Sequence, residues 1–173
     1  MKNITMIGAP SSGKSTVGIL LAKRLGMGFT DLDILIQQRT GKLLKEIISQ
    51  QGIEAFLNIE EMTACSLDVK NSIIAPGGSI CYGAKAMRHL KEISTVIYLY
   101  ISYDEMLKRI GDVTDRGVII PKGYTLKDLY DERAELYEKY ADITIDETGK
   151  DAGLVVDEIR ALMNATFCDT AIK

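Results

Sequence analysis

Short apolar runs alternate with segments whose apolar residues recur at helical spacing along the chain. The runs predict strands at 3–7, 28–33, 72–76, 95–101 and 142–146. The helical spacing predicts helices at 14–25, on both sides of a break at Gly52 within 40–69, and at 103–110, 125–140 and 151–167. Nearly continuous apolar strands between helices are typical of a parallel sheet covered on both faces. The pattern therefore predicts an α/β fold.

One of these segments, GIEAFLNIEEM at 52–62, is amphipathic except at one residue. Phe56 and Ile59 share a face that can be buried, and Met62 or Thr63 continues it. The polar residues are Glu54, Asn58 and Glu61. Leu57 lies about 100° around the helix from Phe56 and fits neither group. It is either a further core residue or part of the lining of a pocket.

The length, charge and composition of the chain limit the classes of protein to which it can belong. The 173 residues are enough for one domain, 1–173, and a net charge of −3 argues against a broad basic face for nucleic acid. No apolar run approaches the roughly 20 residues that span a bilayer. The first residues, MKNITMIGAP, lack the apolar core of a secretory signal. We therefore expect a cytoplasmic protein that binds neither membrane nor nucleic acid.

Cysteine and histidine usage argues against metal and triad chemistry. Cys65, Cys81 and Cys168 are odd in number and do not have the spacing of a metal site, so we interpret them as reduced thiols. His89 stands alone, which disfavours a histidine metal site and a Ser-His-Asp triad.

The segment GAPSSGKS at 8–15 matches G-x-x-x-x-G-K-[ST] and lies between a predicted strand and a predicted helix. Gly8 and Gly13 let the backbone N–H groups turn toward phosphate oxygens, and the helix start adds its positive dipole end. Lys14 can reach the β and γ phosphates and Ser15 can bind Mg²⁺. The alternative is a glycine-rich turn with a chance lysine. The chain lacks the N-K-x-D segment of GTPases, so ATP is the expected nucleotide.

Two further strand ends carry candidate acceptor residues. Asp31 and Asp33 follow the second predicted strand, where an extended backbone would point both the same way, Asp31 to the metal and Asp33 to the second substrate. They can instead be a helix N-cap pair. Gly77 and Gly78, in APGGS at 75–79, allow a ligand close to the backbone, or form a plain strand-to-helix turn.

Together these segments resemble the shikimate kinase family of small P-loop kinases, and the resemblance covers nearly the whole chain. It rests on GAPSSGKSTVG, FTDLD, GIEAF…E, APGGS, LKRI…DR and ERAELYEKYAD, in that order. It implies a three-layer α/β/α fold with a five-stranded parallel sheet, an acceptor-binding helical region at 32–62 and a mobile lid at 111–124. It also implies ATP, Mg²⁺ and a small-molecule hydroxyl acceptor.

The resemblance also implies residue roles. Lys14, Asp33 and Arg116 would be catalytic, with Arg116 the lid arginine and Asp33 the residue that meets the acceptor hydroxyls. Nucleotide binding would fall to Gly8, Ser11, Ser12, Gly13, Lys14, Ser15, Thr16 and Arg109, with Arg109 and the loop 146–153 at the adenine. Ser15 and Asp31 would hold the metal. The acceptor would meet Asp33, Leu57, Glu60, Gly77, Gly78 and Arg133, with Arg133 on its carboxylate.

From the residues alone, two of these arginines keep other interpretations. Arg116 can be a solvated loop arginine, because its segment is rich in glycine and charge. Arg133 can form an ion pair within its own helix, since Asp131, Glu132 and Glu135 lie beside it.

Two of the three departures from the family pattern concern the acceptor site, and none concerns the phosphate loop. Leu57 stands where the family has a carboxylate-binding arginine, Ser79 replaces the last of three glycines, and the lid arginine is followed by GVII. Loss of one side of a buried carboxylate clamp costs about 2–5 kcal/mol. Glu60 matches the acid that orients the missing arginine, so we hypothesise an unpaired carboxylate that is free to accept from a hydroxyl or amine of a different acceptor.

The sequence therefore predicts a monomeric ATP-dependent small-molecule kinase of the shikimate kinase type, acting on shikimate or a related hydroxylated metabolite. The alternative is a non-catalytic or regulatory nucleotide-binding protein of the same fold. A nucleoside monophosphate kinase would need a basic cluster around the acceptor phosphate, which the sequence lacks.

Overall fold

The computed structural model describes residues 2–111, 118, 120 and 123–170, with side chains up to residue 163. The strands are β1 (Asn3–Ile7), β2 (Gly28–Asp31), β3 (Ser72–Ala75), β4 (Ser94–Tyr100) and β5 (Ile143–Asp146). The helices are α1 (Lys14–Leu25), α2 (Leu32–Thr40), α3 (Leu44–Gln51), α4 (Ile53–Cys65), α5 (Ala84–Ile93), α6 (Tyr103–Ile110), α7 (Leu126–Tyr140) and α8 (Ala152–Thr170), with a 3₁₀ turn at Gly78–Tyr82.

The five strands form one parallel sheet in the order β2-β3-β1-β4-β5. Strand β1 lies at the centre, paired with β3 through Ile4 and Ile73 and with β4 through Ile4 and Thr95. The predicted five-stranded parallel sheet is confirmed. Because all strands run the same way, their carboxyl ends meet at one edge, and that edge carries the site.

Alternate residues of each strand enter two separate cores. Ile74, Val96 and Tyr98 face one side, together with α2, α4, α5 and α7. Ile73 and Ile97 face the other side, where α1 and α8 pack. Both faces of the sheet are thus covered by apolar side chains, which is why the strands are nearly continuous apolar runs rather than alternating ones.

Several predicted bounds are reproduced and some are corrected. The elements at 3–7, 14–25 and 103–110 have the predicted bounds. The strand predicted at 28–33 is wrong beyond Asp31, because Asp31 caps a helix that begins at Leu32. Thr125 and Asp128 form a capping box at the start of α7.

The lid predicted at 111–124, with Arg116, lies largely outside the described residues. Among the residues that the structure describes, no helix is long and apolar enough to cross a membrane. Cys65 and Cys81 are free thiols, one exposed and one buried.

Candidate active site

The phosphate loop connects the central strand β1 to α1. Gly8 has φ 152°, and a Cβ there would lie 2.5 Å from the Leu99 carbonyl oxygen, so only glycine fits against β4. Gly13 has φ 78° and serves as the N-cap of α1. Ser11, also at positive φ (63°), has a buried hydroxyl oxygen without a hydrogen-bond partner. These residues form the curled loop that the motif predicts. The Ser11 hydroxyl is available to donate a hydrogen bond to a ligand oxygen.

Lys14 lies across this loop. Its Nζ donates to the carbonyl oxygens of Gly8 and Ala9, both at 2.9 Å, and contacts the Ser12 hydroxyl at 3.5 Å. Burial lowers the pKa of Lys14 to about 8, while the nearby carboxylates of Asp33 and Glu147 act in the opposite direction. Lys14 therefore carries its charge at neutral pH, at the point where the loop would hold phosphates.

Ser15 and Asp31 meet beside the loop. The Ser15 hydroxyl donates to Oδ2 of Asp31 at 2.9 Å. The other oxygen, Oδ1, accepts from the backbone N–H groups of Asp33 and Ile34. Asp31 is thus both the N-cap considered from the sequence and a neighbour of Ser15. Mg²⁺ in proteins is usually coordinated by only one or two protein side chains, and waters and substrate phosphates fill its other positions. A hydroxyl and one carboxylate match this pattern.

Asp33 points into the same cavity from the first turn of α2, not from an extended strand as the sequence suggested. Its Oδ1 is buried and has no hydrogen-bond partner among the residues that the structure describes. Burial first, and then the Asp31 carboxylate, raise the pKa of Asp33 to about 6, against the effect of Lys14. Asp33 is therefore ionised at neutral pH, with an oxygen available to a donor.

This cavity, about 300 Å³, joins the phosphate loop to the acceptor residues. Gly77, Gly78, Ser79 and Arg133 line it opposite Lys14 and Ser15, together with Thr16, Leu44, Phe56 and, from the lid segment, Val118. The phosphate loop and Asp33 therefore border the same cavity.

Arg133 is only 4 % exposed although it is charged. Its Nε contacts the Tyr82 hydroxyl at 3.4 Å and its guanidinium lies over the Tyr82 ring. In the described part of the chain it forms no salt bridge, so the ion pair within α7 is not observed. A Cβ at Gly78 would lie 3.3 Å from its Nη1. Arg133 is therefore held beside the Gly77–Gly78 backbone with a charge left for a ligand.

Glu60 is buried, 1 % exposed, and is not the fully unpaired carboxylate that the sequence suggested. Its Oε2 accepts from the Ser79 hydroxyl at 2.7 Å, while Oε1 has no hydrogen-bond partner within the described ranges of the chain. Burial raises the pKa of Glu60 to about 7, against the hydrogen bond from Ser79. Ser79 therefore holds the carboxylate of Glu60 beside Leu57.

Leu57 is half-buried and lies outside the cavity that holds Asp33. It lines an adjoining cavity of about 220 Å³ with Glu60, Ser79, Tyr82 and Gly83, and packs on the core below. Ser79 borders both cavities, whereas Glu60 borders only the one beside Leu57 among these two. Leu57 thus answers both parts of the sequence question, since it is a core contact and a lining residue.

A third cavity marks the far end of the phosphate loop. Ser11, Gly13 and Thr16 line it with Arg109 and with two residues after β5, Glu147 and Lys150. The resemblance places Arg109 and the loop 146–153 at the adenine, and both border this cavity.

Sequence reasoning missed Glu147, which anchors Arg109. Arg109 pairs with Glu147 at 3.1 Å and with Glu105 at 2.9 Å. Burial raises the pKa of Glu147 to about 7. A signal was present, since Glu147 directly follows the carboxyl end of a strand.

A family model described as shikimate kinase matches residues 10–164. The chain belongs to the shikimate kinase family. It is 35 % identical over 160 residues to the shikimate kinase of Persephonella marina, across 92 % of this chain and 97 % of that one. It is 36 % identical over 166 residues to that of Moorella thermoacetica, across 94 % and 95 %.

Solved shikimate kinases have the same fold. The enzyme of Acinetobacter baumannii in complex with shikimate superposes with a TM-score of 0.88 at 29 % identity, over 96 % of this chain and 94 % of that one. The enzyme of Aquifex aeolicus gives 0.81 at 29 % identity, over 96 % and 98 %. The predicted P-loop kinase fold is confirmed, and with it ATP- and Mg²⁺-dependent phosphorylation of an alcohol. A non-catalytic nucleotide-binding protein is not favoured.

Proposed function

We propose that this shikimate kinase family member phosphorylates a hydroxyl of shikimate or of a related hydroxylated metabolite within the cavity between Lys14 and Arg133. The observation that carries the proposal is the shared cavity itself. The phosphate loop borders it on one side, and Asp33, with an unpartnered Oδ1, borders it on the other. A hydroxyl bound at Asp33 lies next to a phosphoryl group bound at Lys14, as in-line transfer requires.

The nucleotide roles follow from the loop. Lys14 contacts the β and γ phosphates, the N–H groups of 8–15 surround them, and Arg109 supports the adenine end. Ser15 and Asp31 would hold Mg²⁺, which would supply positive charge to the phosphate oxygens. Ser11, Ser12 and Thr16 add hydroxyls along the same path.

Asp33 positions the acceptor hydroxyl and accepts its proton as the new O–P bond forms and ADP leaves. Its pKa of about 6 keeps it ionised at pH 7 while leaving it a competent base. Gly77 and Gly78 bring backbone N–H groups to the acceptor, and Arg133 binds its carboxylate with charge-assisted hydrogen bonds.

The proposal also assigns acceptor binding to the helical region 32–62 and closure of the site to the lid 111–124. Arg116, outside the described residues, would close on the transferring phosphoryl group, and closure would exclude water. In support, Val118 of this segment borders the cavity.

A coupled ADP-release assay over shikimate and a panel of hydroxy acids, sugars and amino alcohols tests the function. We expect acceptor-dependent ADP release that Asp33→Asn reduces by about 10²–10⁴-fold. Asp68→Asn, at an exposed position, is the matched control and keeps wild-type rates. Tight ATP binding without turnover of any acceptor would instead support the regulatory alternative.

We also propose a monomer that resides in the cytoplasm. The free thiol of Cys65 is exposed, which suits a reducing compartment where ATP is abundant. Light scattering after gel filtration at micromolar concentration measures the mass, and a dimer mass contradicts this part of the proposal.

A further inference from the structure

Arg109 is held by carboxylates from two different elements. Its Nε donates to Oε1 of Glu105, on the same helix, at 2.9 Å, and its Nη1 donates to Oε1 of Glu147, after β5, at 3.1 Å. A guanidinium is planar, so hydrogen bonds from two of its nitrogens to two separate carboxylates restrict the rotation of that plane. The side chain of Arg109 is 28 % exposed. The guanidinium is therefore held in place and still accessible to a ligand.

Glu147 is itself fixed by the fold. Its backbone N–H donates to the Tyr100 carbonyl oxygen at 2.9 Å, and its own carbonyl oxygen accepts from the Lys150 N–H at 3.0 Å. Its side chain is 3 % exposed, and a Cβ built on Gly13 would lie 3.3 Å from its Oε2. Burial raises the pKa of Glu147 to about 7, and the charge of Arg109 opposes that rise. Arg109 therefore supplies the pairing that a buried carboxylate needs and that solvent does not give here.

Arg109 and Glu147 line the third cavity, of about 390 Å³, which shares the phosphate loop with the cavity that holds Asp33. Ser11 and Gly13 border both cavities. In the proposed function the transferred phosphoryl group faces Asp33. The other end of the nucleotide, which carries the base, then extends from the phosphate loop into the cavity of Arg109.

A base needs a flat surface on which to stack, and Arg109 provides one. No aromatic side chain of the described residues lines this cavity, which leaves the guanidinium as its flat, charged surface. Arginine stacks on aromatic rings through the face of its guanidinium, so the attraction depends on how that plane is oriented. Whatever fixes the plane of Arg109 therefore affects the affinity for the base.

We propose that Glu147 is a positioning residue for the nucleotide, which together with Glu105 fixes the Arg109 guanidinium in the orientation that stacks on the base of ATP. This inference rests on the proposed place of Arg109 at the adenine and adds the residue that determines its orientation. Glu147 suits this role because it follows β5, whereas Arg109 and Glu105 share α6. The orientation of the guanidinium is thus tied to the sheet and not to its own helix alone.

A comparison of ATP with inorganic triphosphate separates binding of the base from binding of the phosphates. Isothermal titration in the presence of Mg²⁺ measures the Kd of each ligand for the wild-type protein and for Glu147→Ala. The Kd for ATP should rise about 3–30-fold, the range expected for loss of a cation–π contact. The Kd for triphosphate should not rise, because the change removes a negative charge that acts on Lys14 and no donor of the phosphate loop.

Further variants complete the comparison. Glu92→Ala, at an exposed position on α5, is the matched control and should leave both constants unchanged. Arg109→Met should weaken ATP binding at least as much as Glu147→Ala does, because it removes the stacking group itself. If Glu147→Ala does not fold, Glu147→Gln keeps the volume and one oxygen of the side chain. It should raise the Kd for ATP at least about twofold, since a neutral hydrogen bond is about half as strong as a charge-assisted one.

The outcomes distinguish this inference from the proposed function. An equal rise in the Kd of ATP and of triphosphate overturns the inference, because Glu147 would then act on the phosphate loop. An unchanged Kd for ATP in the Glu147 variants, with a clear rise in Arg109→Met, also overturns it and leaves Arg109 at the base. An unchanged Kd for ATP in Arg109→Met overturns the proposed role of Arg109 and this inference together.

Discussion

The two sides of the cavity differ in how closely they follow the family. On the phosphate side, the loop 8–15 keeps the whole motif, Lys14 is bonded within it, and Ser15 meets Asp31. On the acceptor side, the family resemblance predicts departures at Leu57 and Ser79, and Oε1 of Glu60 has no hydrogen-bond partner among the described residues. We therefore expect the phosphate side to determine which reaction occurs and the acceptor side to determine which molecule receives the phosphoryl group.

The largest effect is expected on the phosphate side, from Lys14→Met. Loss of a preorganised cation at the transferring group lowers kcat by about 10²–10³-fold with every acceptor. Steady-state kinetics with saturating ATP measures the loss. Lys23→Met, exposed at the end of α1, is the control. A decrease in kcat of less than tenfold would contradict the expectation that the phosphate side determines the reaction.

Arg133→Met tests the acceptor side alone. The KM for the acceptor should rise about 10–150-fold, since a hydrogen bond to a charged group contributes about 1.5–3 kcal/mol. The KM for ATP should not change, because Arg133 makes no hydrogen bond to the phosphate loop within the part of the chain that the structure describes. Arg88→Met, on the surface of α5, serves as the control. An equal rise in both constants would contradict the division.

Leu57→Arg introduces the arginine that the family resemblance predicts at this position. We expect the Kd for shikimate, measured by isothermal titration, to fall at least about tenfold, because the new guanidinium adds a charged donor beside Glu60. Asn58→Arg, one residue along and exposed, should have no effect. If the wild-type protein already binds shikimate at micromolar strength and Leu57→Arg does no better, Leu57 does not determine the acceptor.

The smallest effect is a change of stability with pH. Asp33 and Glu60 hold protons more tightly in the folded state, with pKa values of about 6 and 7, than in the unfolded chain. Their contribution is therefore present below about pH 4 and is lost as the pH rises through 6 and 7. Ser79→Ala should lower the free energy of unfolding by about 1–3 kcal/mol at pH 8, where Glu60 is ionised, and by less at pH 5.

Urea denaturation at the two pH values measures this difference, with the exposed Ser49→Ala as the control. An equal loss at pH 5 and pH 8 would mean that Ser79 does not stabilise the ionised carboxylate of Glu60.

Local signals account for what the sequence predicted well. The bounds of α1 follow from the motif before it and from Gly26 after it, and Ser102 caps α6 at the predicted start. Helix α5 was not assigned, although Ala86, Met87 and Leu90 are buried at helical spacing. The strand predicted at 28–33 was too long, because Asp31 caps a helix that begins at Leu32. A short apolar run does not show where the backbone changes from strand to helix.

The acceptor side could be predicted only in part, because its contacts join residues far apart in the chain. The family pattern named Glu60 and Ser79 as neighbours of the acceptor, but the hydrogen bond between them depends on how α4 packs on the 3₁₀ turn. In the same way, the pairing of Arg109 with Glu147 depends on α6 and β5 meeting at one edge.

The packing of the helices has a consequence for how such a protein can diverge. Helix α1 packs on α8 and β3, while α4 packs on α3, α5 and the 3₁₀ turn, across the sheet from α1. Mutations that accumulate on α4 therefore act on the opposite layer from the one in which α1 packs. A duplicated gene with this fold can drift to a new metabolite through a few exchanges in one layer, while the older chemistry persists in the other.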